Sequence, residues 1–131
     1  MKASQRLDWL RRVLLVKVVL CFLVWGLPAL LAPPTLLPWF GLTVPEDPIF
    51  LRLFGALAIA LGVAYGYAYQ DPVKNAAIVR VGVVDNVLAT LTVIVLSLTR
   101  GVSSWFVWLS AALTALFSVA FVAWMPRQQG A

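Results

Sequence analysis

Residues 50–99 read FLRLFGALAIALGVAYGYAYQDPVKNAAIVRVGVVDNVLATLTVIVLSLT. Two apolar stretches, 48–69 and 72–99, meet at Gln70-Asp71-Pro72. Each reaches the roughly 20 residues that a helix needs to cross about 30 Å of hydrocarbon. Asp71 can accept free backbone N–H groups as an N-cap, while Pro72 at the first helical position has no donor to waste. One helix therefore stops and the next is capped at once, which makes a helical hairpin. Inside its second arm sits Asp85, the carboxylate placed deepest in an apolar run.

Outward from the hairpin the same pattern continues. Apolar runs at 13–31 and 105–124 complete a set of four, and Asp47-Pro48 repeats the capping device ahead of the second. The chain of 131 residues is 63% hydrophobic and only 11% charged. A soluble domain carries about 45–50% apolar and roughly 25% charged residues, so the bilayer is the expected solvent. Unsatisfied peptide groups are too costly in lipid for anything but helices or a closed barrel, and strand-like segments are too few for a barrel. The expected fold is all-α: one domain, residues 1–131, forming an antiparallel bundle of four transmembrane helices. The first run follows a basic head, as a signal peptide does, but it exceeds the usual 7–15-residue apolar core and is read as a retained span.

Charge sets the expected orientation. Lys2, Arg6, Arg11, Arg12, Lys17, Lys74, Arg80 and Arg127 fall on one side of the four runs, and Arg52 and Arg100 on the other. The positive-inside rule then places both termini in the cytoplasm. The basic head is read as a headgroup anchor rather than a nucleic-acid arm.

The connection 32–47 is long and apolar. Pro33, Pro34, Pro38 and Pro45 are expected to forbid regular helix there, and Trp39-Phe40 suits the membrane interface. It is an interfacial flap, lying on lipid or covering a cavity. Gly26-Leu27-Pro28 is expected to kink or stop the first helix. On the second helix Gly55, Ala58, Gly62 and Gly66 share a stripe that invites close packing, against the third helix in preference to a second copy. Tyr65, Tyr67 and Tyr69 read as an aromatic belt.

The third helix carries Gly82, Asp85, Asn86, Ala89 and Thr90 on one stripe, with Ser97 further round. A bare carboxylate at that depth must be protonated, paired or wetted. Lys17 and Arg52 are the candidate partners, with Asn86 adjacent and Thr90 one turn on. The cluster is either interhelical glue, the preferred reading, or a titrating site in a polar cleft. Ser110, Thr114 and Ser118 on the fourth helix either bond back to their own helix or cross-link to this stripe.

Several chemistries are excluded. There is no histidine and one cysteine, Cys21. Imidazole metal or haem sites, an internal disulfide and a CxxC redox pair are therefore absent. No nucleophile–base pair, metal cluster or nucleotide loop is present, so no catalytic residue, metal or cofactor is expected.

The series Leu51-Arg52-Leu53-Phe54-Gly55, Leu61-Gly62, Tyr69, Asp71-Pro72-Val73-Lys74-Asn75, Ile78-Val79 and Val81-Gly82 resembles small bacterial four-helix membrane proteins of the broad DoxX-like kind. That resemblance implies a four-helix bundle in the bacterial inner membrane and brings no chemistry with it. The function expected is an accessory or assembly subunit whose partners are the bilayer and other membrane subunits or further copies, with no nucleic acid. The alternative is a small homo-oligomeric transporter or lipid- or quinone-binding module built on Asp85; an enzyme acting on a lipid or quinone is a third reading.

Overall fold

A computed structural model describes residues 1–127. Those residues fold into four helices long and apolar enough to cross a membrane: α1 (Ala3–Leu31), α2 (Ile49–Gln70), α3 (Ala76–Arg100) and α4 (Trp105–Ala123). Each helix packs on its neighbours in the chain, and α4 closes the ring on α1. The buried centre is Leu10, Leu14, Cys21, Trp25, Ala58, Tyr65, Ala68, Val79, Phe117 and Phe121.

α1 begins ten residues before the apolar run does. Leu10, Leu14, Lys17 and Cys21 recur every three or four residues and all are buried, so the core-facing stripe starts inside the basic head. The head is fastened as well. Arg6 donates to the Ala123 carbonyl at 2.9 Å and Arg11 to that of Gln70 at 3.4 Å. Cations thereby meet the unpaired carbonyls and negative dipole ends of α4 and α2. Trp9 stacks on Trp124 at 5.9 Å, beneath the Arg12 guanidinium.

Pro28 does not end α1. The preceding turn, Cys21–Gly26, widens into a π-helix, with Leu27 N–H bonded to Phe22 O, and the helix runs on to Leu31. A proline ring collides with the carbonyl four residues back, and one wider turn takes up that misfit. The wide turn also presents Gly26 to α2. A Cβ on Gly55 would sit 2.7 Å from Gly26 O, and one on Gly62 would sit 2.8 Å from the Phe22 ring. The small-residue stripe of α2 therefore faces α1, not α3 as the hairpin connectivity suggested. Gly66 takes no part in it, having nothing within 4 Å of a would-be Cβ. Gly82 serves another joint, where the Phe121 and Tyr65 rings each come within 2.9 Å of its missing Cβ.

The connection from α1 to α2 is more regular than its prolines implied. Pro34–Phe40 forms a 3-10 helix that contains Pro38 and ends at Gly41, whose φ of 71° is left-handed. Its end is clamped to the start of α4. Ser104 Oγ donates to Phe40 O at 2.5 Å, Trp105 Nε1 donates to Trp39 O at 3.2 Å, and Phe40 meets the Phe106 ring edge-on. Trp39 itself stays 80% exposed, as an interfacial ring would.

The helix starts follow the aspartates, slightly later than expected. Asp47 Oδ1 accepts from Ile49 N–H at 3.0 Å. Asp71 Oδ1 accepts from Lys74 N–H at 3.0 Å, so residues 72–75 make a turn and α3 begins at Ala76. Asn75 Nδ2 locks that turn to the Tyr67 and Asp71 carbonyls.

Two glycine substitutions should behave oppositely. Gly55→Ala forces α1 and α2 apart and should cost about 1–3 kcal/mol, as overpacking does. Gly66→Ala meets open space and should gain about 0.5–1 kcal/mol from helix propensity. Thermal unfolding in detergent, followed by circular dichroism, reads both; equal effects would contradict the assigned packing faces.

Candidate intramembrane polar site

Lys17 occupies a core position on α1, one α-helical turn before Cys21 and two before Trp25. Its side chain is 3% exposed. The ammonium donates to Asn86 Oδ1 at 2.6 Å and stands 4.0 Å from Asp85 Oδ2. Around it are three aromatic faces, with Nζ 4.9 Å from the ring centre of Trp25, 4.8 Å from Phe117 and 5.6 Å from Tyr65. A cation over a ring within about 6 Å gains roughly 0.5–2 kcal/mol, more where water is excluded. The charge is thus held by one amide, one carboxylate and a box of rings.

Each helix supplies part of this arrangement. α2 brings Tyr65, whose hydroxyl donates to Asp85 Oδ2 at 3.2 Å. α3 brings Asp85 and Asn86, and Asn86 Nδ2 is itself tied to Gly82 O at 2.6 Å, which fixes the direction of its acceptor oxygen. α4 brings Phe117 and two hydroxyls. Ser110 Oγ accepts from Trp25 Nε1 at 3.0 Å, and Thr114 Oγ1 lies 2.8 Å from Thr90 Oγ1. Thr90 and Thr114 also reach back to the Asn86 and Ala111 carbonyls. Each hydroxyl has a single proton, so whichever threonine donates to the other gives up its bond to its own helix. Among the described residues Ser118 bonds only to Thr114 O on its own helix.

Of the residues grouped from the sequence, Lys17, Asp85, Asn86 and Thr90 come together here. Arg52 does not join them. It donates to Ala29 O at 3.2 Å and Ala32 O at 2.7 Å, capping the C-terminal end of α1. Ala29 is twelve residues beyond Lys17, about 18 Å along the helix. Arg52 is a structural cap for the same dipole reason as Arg6 and Arg11.

Tyr65, Trp25 and Phe117 were not singled out from the sequence as members of this group. Tyr65 belongs to the stripe of Ala58 and Gly62 by its spacing, on the face opposite Tyr67, and that phase is the available signal. Trp25 and Phe117 carry no comparable mark in an aromatic-rich chain.

Asp85 has a second character. Its side chain is 32% exposed, and both its contacts go to Oδ2, leaving Oδ1 without a hydrogen bond among the described residues. The seam between α2 and α3 beside it holds a cleft of about 240 Å³, lined by Leu61, Ala64, Tyr65, Ala77, Ile78 and Val81. Among the described residues there is no grouping of His, Cys, Asp or Glu able to hold a metal ion.

Removing one charge of the pair should cost more than removing both. Lys17→Met leaves Asp85 uncompensated and is expected to lose about 3–5 kcal/mol. Adding Asp85→Asn should restore about 0.5–3 kcal/mol of that, the coupling typical of contacting residues. Melting curves of the two single variants and the double variant measure the coupling; strictly additive losses would show that the two residues do not act together.

Comparison with protein-family models, with curated proteins and with solved structures gives no match to this chain.

Proposed function

We propose that this protein is a non-catalytic, multi-pass component of the bacterial inner membrane, an accessory or assembly subunit whose polar cluster locks four helices in register. The observation that carries this reading is the saturation of Lys17, whose ammonium is enclosed by Asn86, Asp85 and three rings at 3% exposure. A group held so completely within its own fold has little left to offer a substrate. The outer faces offer apolar surface instead. α3 exposes Val84, Leu88, Leu91 and Val95 along its length, a surface suited to lipid or to the helices of a partner.

The cytoplasmic placement of both termini is part of the same proposal. Its support is the eight-to-two division of basic residues, together with the contacts that gather the head, the α2–α3 turn and the end of α4 at one end of the bundle. Kinship with DoxX-like proteins rests on the hairpin motif around Asp71-Pro72.

A second reading has one observation in its favour, the free oxygen of Asp85 at the α2–α3 seam. On that reading the chain is a small transporter or ligand-binding module, and Asp85 is its titrating group.

The two readings part in proteoliposomes. As an accessory subunit, the purified protein alone should carry no proton or cation flux. In native membranes it should migrate within a larger assembly on non-denaturing gels, and Asp85→Asn should alter stability only. A flux carried by the purified protein and abolished by Asp85→Asn at unchanged melting temperature would sink the accessory reading.

A further inference from the structure

α2 and α3 are joined by only residues 71–75, yet they pack thinly along their seam, because the small stripe of α2 is already committed to α1. What they leave is the 240 Å³ cleft. Its walls are Leu61 and Ala64 with the Tyr65 ring on one side, and Ala77, Ile78 and Val81 on the other. The volume falls below the roughly 300–1,000 Å³ of pockets that enclose a whole small molecule. It suits a segment of flexible hydrocarbon, entering from the side.

The ends of the cleft differ in chemistry. Toward mid-bundle it is closed by the polar cluster: Asp85 is one turn past Val81 on the same face of α3, and Tyr65 lines the cleft while its hydroxyl holds Asp85. At its other end Lys74 stands in the turn three residues before Ala77, and Arg80 stands on α3 between the wall residues Ile78 and Val81. Both are exposed, and among the described residues neither side chain is ion-paired or hydrogen-bonded. Asp71, three residues before Lys74, accepts from the Lys74 backbone N–H. Two cations without a side-chain partner among the described residues, one in the turn before α3 and one a turn into it, stand beside an apolar side cleft and complement one class of membrane molecule.

We propose that the α2–α3 seam is a binding site for an anionic glycerophospholipid, whose phosphate is held by Lys74 and Arg80 and whose upper acyl chain lies in the cleft below Asp85. Basic residues beside anionic headgroups contribute a factor of about five each in affinity, so the pair accounts for about 25-fold preference over a zwitterionic lipid. The apolar walls supply the remaining attraction, shared by any lipid with the same chains. Neither contribution depends on whether the protein is an accessory subunit or a transporter.

Native mass spectrometry of the detergent-purified full chain, titrated with phosphatidylglycerol or with phosphatidylcholine of identical chains, tests this. The expected result is one retained phosphatidylglycerol per chain, in clear preference to phosphatidylcholine. Lys74→Gln with Arg80→Gln should erase the preference. Ala64→Leu or Ala77→Leu, each adding bulk to the cleft, should weaken retention of both lipids at unchanged helix content. Equal retention of the two lipids by the native chain, or a preference that survives the charge-neutralised pair, would overturn the site. So would retention untouched by both bulky variants. None of these outcomes bears on the flux and assembly measurements above.

Discussion

A buried ammonium is the constraint around which this bundle is built. Moving a charge from water into a low-dielectric interior costs several kcal/mol even after relaxation. Lys17 cannot reach solvent from its place on the core stripe, so compensation must come from every side. It comes as the Asn86 oxygen at 2.6 Å, the Asp85 carboxylate at 4.0 Å and three ring faces. Apart from the ring of Trp25, which is on α1 itself, those groups belong to α2, α3 and α4. A slip of any one helix by a single residue would turn its contribution away by about 100° and leave the cation exposed to lipid. Apolar side chains pack in many registers with similar energy, and lipid tails compete with them for the same surface. A polar cluster of this kind favours one register.

Close packing answers a different need. With little hydrophobic drive between helices in lipid, contact depends on how nearly the backbones approach. Gly26 and Gly55 allow that approach between α1 and α2, and Gly82 allows the Tyr65 and Phe121 rings to lie on α3. The π-turn at Cys21–Gly26 serves both purposes: it absorbs Pro28 and rotates Gly26 into the joint. Tyr65 links the two systems, since its ring packs over Gly82 and its hydroxyl meets Asp85.

Much of this was legible in the sequence, and the remainder was illegible for definite reasons. Composition and run length give four spans, because the bilayer thickness is fixed and the chain has no other way to satisfy its peptide groups. The Asp-Pro pairs give the helix starts to within a few residues. Lys17, Asp85, Asn86 and Thr90 stand out because polar groups in long apolar runs are few. What sequence alone cannot supply is the rotation of each helix about its axis. Charge alone matches Arg52 with Asp85, yet Arg52 faces the end of α1. The α2 stripe was assigned to the helix next in the hairpin, yet it faces the one before. The aromatic box around Lys17 was hidden for a related reason, in that Trp25, Tyr65 and Phe117 look like lipid-facing or belt residues until the phase of their helices is known.

The fastening of the basic head has a consequence for biogenesis. Arg6 is made 117 residues ahead of its acceptor, the Ala123 carbonyl, which exists only when α4 is complete. Arg11 can engage Gln70 once the second helix is in place, so the head docks in two steps separated by about fifty residues of synthesis. Until the second step, Arg6 has nothing to hold at α4. Completion of α4 is therefore what shuts the ring, and a nascent chain stalled before it carries an open bundle.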